Sequence, residues 1–258
     1  MTNEAQFGLI KTERPKAEPT DLLGVPFRGG RLIVSPRAVG PDTYRNNLAR
    51  LNGPFSHNSA NLRIDSFSFD EPTTAESLAT AAYEFETRAK PEVFDPLWLQ
   101  AGRCVVTRKG VFSNARTTNP EALDELERHS EEHNGILIYQ GENPAWQDVA
   151  FAPYDTFKQG VQKAGTFLEG GLARALEQAK GRPEALAVIS NPEIYDCGVD
   201  VWGFAPVEEP VERVVRLYSY WGAYRRRLCV CGGYSLGDDD GYVFGVYRGA
   251  AKGSAPKK

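Results

Sequence analysis

The sequence predicts an α+β fold: a mixed, largely antiparallel sheet with packed helices and a strand-rich C-terminal meander. Three observations predict it. Strand-patterned segments alternate with segments of helical spacing, and the chain then ends in a run of strands. The stretch from Val211 to Arg248, VERVVRLYSYWGAYRRRLCVCGGYSLGDDDGYVFGVYR, is dense in β-branched, aromatic and cysteine residues and is cut by glycines and aspartates. Finally, 258 residues that are 41% hydrophobic and 25% charged suffice for a true apolar core.

Residues 1–28 are polar and proline-bearing, with neither helical nor strand periodicity, and are expected to be an extended N-terminal arm that orders along a neighbouring subunit. Residues 29–250 read as one α+β domain, any subdivision falling near residue 116, and residues 251–258 as a flexible basic tail.

RLIVSP (Arg31 to Pro36) is a short strand. Asp42 to Leu51 is a helix stopped by Asn52 and Gly53, and a polar loop, GPFSHNSAN, leads to a strand over Leu62 to Phe69. Thr73 and Glu76 form a capping box for a helix carrying Ala75, Leu78, Ala82, Phe85 and Ala89, ended by Pro91. Trp98 and Leu99 are assigned to the core. Ala101 to Asn114 is a hairpin turning at Lys109 and Gly110.

A helix from Pro120 to about Glu132, capped by Thr118 with Glu121 and stopped by Asn134-Gly135, releases the strand ILIYQ. Residues 155–180 have helical spacing interrupted by Gly165, Gly170 and Gly171. ALAVIS and GVDVWGF are further strands. In the last stretch, Val215 and Leu217 share one strand face, and Val214, Arg216, Tyr218 and Tyr220 the other. Leu228 and Val230 oppose Cys229 and Cys231 on the next strand, and Tyr242 to Tyr247 is the third.

The net charge of -4 argues against a protein that coats nucleic acid over its whole surface. No apolar run approaches the roughly 20 residues of a bilayer span. The first residues show no basic-then-apolar signal pattern, so the expected location is non-secreted, cytoplasmic or in an assembled particle. Cys104, Cys197, Cys229 and Cys231 lack the paired spacings of a zinc site and are expected to be free thiols.

HSEEH, His129 to His133, formally matches the H-x-x-E-H pattern of inverted zinc peptidases, in which histidines one helical turn apart bind the metal. Glu208 or Glu209 would be the third ligand. The flanks are highly charged, and histidine near a helix C-terminus is favoured by the dipole alone, so His129 and His133 are weak metal candidates. His57 lies in a loop, and no nucleophile elbow or phosphate-binding glycine motif occurs. The Glu-x-Lys that follows the aspartate strand in metal-dependent nucleases is missing after Asp200. Asp238, Asp239 and Asp240 lack calcium-loop spacing and read as a solvated turn.

Arg225, Arg226 and Arg227 follow Tyr218, Tyr220, Trp221 and Tyr224. Arginines among aromatic rings suit single-stranded nucleic acid or a protein partner, but a charge-guarded sheet edge with its aromatics in cross-strand pairs is the simpler reading. The sequence therefore points to a non-enzymatic structural or assembly subunit of a larger particle, such as a virion or tail component. It would act through its N-terminal arm and C-terminal sheet, with other protein subunits as partners in a homo-oligomer or particle, no cofactor and no membrane. The alternatives are a nucleic-acid-binding or processing factor, or a metal-dependent hydrolase built on HSEEH. No catalytic residue is assigned.

Overall fold

The computed structural model describes residues 23–35, 38–52, 55–59, 62–67, 69–87, 98–222 and 225–248. Strands β1 (Leu23–Phe27) and β2 (Gly30–Val34) form a hairpin turned by Arg28 and Gly29, both at positive φ. That two-residue turn matches the twist of its strands. Residues 23–28, assigned to the arm from sequence, thus belong to a paired strand and its turn, and residues 1–22 lie outside the described residues.

Strand β3 (Val39–Asp42) leads to Thr43, whose hydroxyl accepts from the Asn46 N–H and caps α1 (Tyr44–Leu51). FSHNS, expected within a loop, is strand β4 (Phe55–Ser59) and pairs with β5 (Leu62–Phe67) as a separate two-stranded sheet. The capping box of α2 (Thr74–Thr87) forms as expected. The Glu76 carboxylate accepts from the Thr73 N–H at 2.8 Å, and the Thr73 hydroxyl accepts from the Glu76 N–H at 3.2 Å. Strands β6 (Trp98–Val106) and β7 (Gly110–Ser113) make the expected hairpin.

Helix α3 (Pro120–Arg128) departs from expectation at both ends. Its cap is Asn119, accepting from the Glu121 N–H at 2.9 Å, and it stops at Arg128. The following SEEH is strand β8 (Ser130–His133), paired with β9 (Ile136–Tyr139). Asn134 and Gly135, at φ 51° and 82°, make the hairpin turn between them. An Asn-Gly pair stops a helix or turns a hairpin equally well, and here edge pairing to β9 wins.

Strands β10 (Ala150–Pro153) and β11 (Gly160–Gln162) come next. Helices α4 (Ala164–Leu168) and α5 (Gly171–Glu177) are the expected helical segment, parted at Gly170 and shorter at its start. ALAVI, expected as a strand, lies in α6 (Glu184–Ile189). Leu186 and Ile189 are buried one turn apart. The Glu177 carboxylate accepts the N–H groups of Glu184, Ala185 and Leu186 at its open end. Strands β12 (Val199–Trp202), β13 (Val211–Gly222), β14 (Arg225–Tyr234), β15 (Gly241–Val243) and β16 (Val246–Tyr247) complete the chain.

The large sheet has 11 strands in the order β11-β12-β14-β13-β6-β7-β10-β9-β8, with β15 pairing β3 and β6. Two of its pairings, β12 with β14 and β15 with β6, are parallel, and the others are antiparallel. The fold is thus α+β with a mixed, mostly antiparallel sheet and a strand-rich C-terminal segment. Within that segment β13 and β14 pair as neighbours. The run from Tyr242 to Tyr247 breaks at Phe244 and Gly245 and joins β3, β6 and the small sheet β1-β2-β16.

One face of the large sheet packs on α2, α4, α5 and α6. Leu99, Val215, Leu217, Leu228, Val230 and Val201 meet Leu78, Phe167, Leu172, Leu176, Leu186 and Ile189 there. On the other face, α3 covers Val105, Phe112 and Phe151, while Tyr44, Leu48 and Leu51 of α1 cover Val214 and Val243 with Leu236. No helix among the described residues is long and apolar enough to cross a membrane.

Candidate binding face of the large sheet

Side chains alternate across β12, β13 and β14. Val199, Val201, Val215, Leu217, Leu228 and Val230 enter the helix-backed core, so the residues between them stand on the second face. The register aligns these in rows: Asp200, Cys229 and Tyr218 in one, Trp202, Cys231, Arg216 and Gln100 in the next. Trp98, Trp202, Tyr218 and Tyr234 are half-buried on this face and belong to none of the helix-covered clusters.

The rings form one connected group. Trp98 lies on Tyr218 with centroids 3.7 Å apart and planes 31° apart, and meets the Tyr234 ring nearly edge-on at 5.2 Å. Tyr234 meets Trp202 at 5.8 Å in the same manner. Such edge-to-face contacts place the positive edge of one ring against the negative face of another.

Beneath them lies Arg216, 0% exposed, its Cζ 4.0 Å from the Tyr234 centroid and 6.0 Å from that of Trp98. Its Nη1 pairs with Asp240, its Nη2 donates to the Asp238 carbonyl at 2.8 Å, and its Nε has no partner among the described residues. The loop 235–240 is shaped to supply those acceptors. The Asp238 carboxylate accepts the Ser235 N–H at 2.5 Å, and Leu236 is buried beside α1. The aspartate triplet is therefore partly a clasp on a buried cation.

Burial governs the ionisable groups here. It raises the Tyr218 phenol, which also hydrogen-bonds Cys229, and raises Tyr234, on which Asp240 and Asp238 act in the same direction. Burial likewise raises the Cys229 thiol and pushes Cys231 up to about 12. At neutral pH these groups are protonated, so the face carries no thiolate or phenolate nucleophile. All four cysteines are free, as expected, and only Cys197 is half-exposed.

Part of the basic-aromatic cluster reaches this region. Arg227 Nη1 lies 3.4 Å from the Asp200 carboxylate, and Arg226 lies 3.9 Å from Asp196 while its backbone N–H donates to the same side chain. Trp221 and Arg225 are in the strands, with backbones paired at the hairpin end, and Tyr224 lies outside the described residues. The HSEEH reading loses its geometry. His129 is the exposed C-cap of α3 and His133 ends an edge strand, 3.7 Å from Glu131, so the imidazoles do not stand one helical turn apart. Glu208 and Glu209 are exposed in the segment after β12. Among the described residues, no three His, Cys, Asp or Glu side chains gather as a metal site would need.

Sequence reasoning missed Trp98, Trp202, Tyr234 and Arg216 as a group, and it assigned Trp98 to the core, where Leu99 belongs while Trp98, one residue earlier on the strand, points to the opposite, half-exposed face. Strand alternation already set Arg216 and Tyr218 on one face; what was lacking was the neighbour order that brings Trp98 and Trp202 beside them.

No family model matches the chain, and no curated protein does. A solved structure described as "Accommodation of massive sequence variation in Nanoarchaeota by the C-type lectin fold" is similar at 15% identity and a TM-score of 0.48. The alignment covers 82% of this chain and 98% of that one.

Proposed function

We propose that this protein is a non-enzymatic recognition and assembly subunit that holds other polypeptides against the aromatic end of its large sheet. The observation that carries the reading is the group of four half-buried rings around Arg216, on strands whose opposite face forms the main core. Aromatic and arginine side chains are the usual anchors of protein interfaces. Rings already fixed by one another lose little freedom on binding, so more of the contact energy is retained. The proline-bearing N-terminal stretch is a second contact, lying along a neighbouring subunit. A nucleic-acid role is less well supported, because Arg226 and Arg227 each have a carboxylate within 4 Å.

Light scattering on the purified protein tests this. The wild type should exceed its monomer mass of 28.5 kDa at micromolar concentration. Deletion of residues 1–22 should shift it toward monomer without lowering the melting temperature appreciably, and Tyr218→Asp should do so with a lower melting temperature, because the half-buried ring it replaces stacks on Trp98. A strict monomer in every form removes the reading.

A further inference from the structure

Resting on that reading, we infer that the group seated on the aromatic face is a basic side chain, an arginine or lysine of the partner polypeptide, lying over the rings with its charge toward the 238–240 loop. Three observations converge on a cation. Ring faces carry negative potential, and four rings are linked here in a chain, each within 6 Å of the next. Carboxylates stand beside the rings: Asp200 is in register with Cys229 and, across it, Tyr218, and Asp240 pairs with the guanidinium stacked on Tyr234. The molecule also shows the chemistry internally, since Arg216 lies 4.0 Å over Tyr234 with the Asp240 carboxylate at its Nη1.

Arg216 fills the buried side of this arrangement, and the four rings stay half-exposed above it. Anionic ligands fit less well, because Arg216 and Arg227 are both turned to carboxylates. A purely apolar partner would strip water from those carboxylates without replacing their hydrogen bonds, which is unfavourable.

The test is a fluorescence titration of the full chain, read through tryptophan emission. The probes are the capped peptide acetyl-Gly-Arg-Gly-Lys-Gly-amide, the same peptide with glutamine at both basic positions, and a ten-residue oligothymidylate. The basic peptide should bind saturably, weaken as salt rises, and bind about tenfold more weakly to Tyr218→Ala and Trp202→Ala. Trp202→Leu, which keeps apolar bulk but removes the ring face, should lose as much as Trp202→Ala, separating ring electrostatics from packing. Equal binding of the glutamine peptide, retention by Trp202→Leu, or saturation by the oligonucleotide alone would overturn the inference. The two ideas fail separately. Assembly abolished by Tyr218→Asp, with no binding of the basic peptide, leaves the assembly reading and removes this one. Peptide binding to a protein that is monomeric in every form does the reverse.

Discussion

Replacing Arg216 by alanine asks whether the buried guanidinium holds the 235–240 loop onto the sheet. Its charged bond from Nη2 to the Asp238 carbonyl contributes about 1.5–3 kcal/mol, and its desolvated stacking on Tyr234 about 1–2 kcal/mol. The ion pair adds little, under about 1 kcal/mol, because the Asp240 side chain is 55% exposed and screened by water. Against these gains stands the cost of burying the cation, several kcal/mol, which any neutral replacement recovers. Alanine also leaves a void under Tyr234, whereas methionine fills much of it. The net expectation is a loss of about 3 kcal/mol for Arg216→Ala and about 1 kcal/mol for Arg216→Met. In a domain of this size that is roughly 6–12 °C and 2–4 °C in Tm. Urea unfolding monitored by circular dichroism gives both values from the midpoint and slope. If alanine loses no more than methionine, or both stay within about 0.5 kcal/mol of wild type, the clasp described for Arg216 is wrong.

Other residues give independent checks. Burial pushes the Glu177 carboxyl up to about 7 from 4.5 despite the three backbone N–H groups that pull it down. A folded value above the unfolded one means that its contribution is complete below pH 4.5 and is lost as pH rises through about 7. Stability measured at pH 5 and pH 8 should fall by up to about 3 kcal/mol from this group, and the fall should shrink in Glu177→Gln; an unchanged slope would refute the burial. Gly203 sits at φ 80°, where a Cβ would overlap the Gly233 backbone nitrogen, so Gly203→Ala should cost at least about 1–3 kcal/mol. Gly165→Ala, in open space within α4, should stabilise by about 0.5–1 kcal/mol, and both are readable as Tm shifts. Iodoacetamide followed by mass spectrometry should label Cys197 first in the native protein, with Cys104, Cys229 and Cys231 reacting only after unfolding.

Local chemistry made much of the fold legible. The Thr73–Glu76 box, the Lys109–Gly110 hairpin and the alternation along β13 and β14 are encoded within a few residues, and each formed as patterned. What failed depended on distant partners. ALAVI has the composition of a strand, yet it coils because Glu177, seven residues before Glu184, accepts its opening N–H groups. Residues 130–133 looked helical until pairing with β9 offered them a sheet edge. The aromatic face was half visible: Arg216 and Tyr218 follow from periodicity. Trp98 and Trp202 join them only through a strand order, β12-β14-β13-β6, that no local pattern contains.

The small sheet has a consequence for anything attached to the chain. Leu23 and Val246 both pair with Val34, on opposite sides of β2, so the two outer strands run parallel and about 10 Å apart. Cargo fused upstream of Leu23 or downstream of Arg248 would leave from one small region of the surface. Tension between two such fusions would shear these short ladders first, before any force reached the eleven-stranded body.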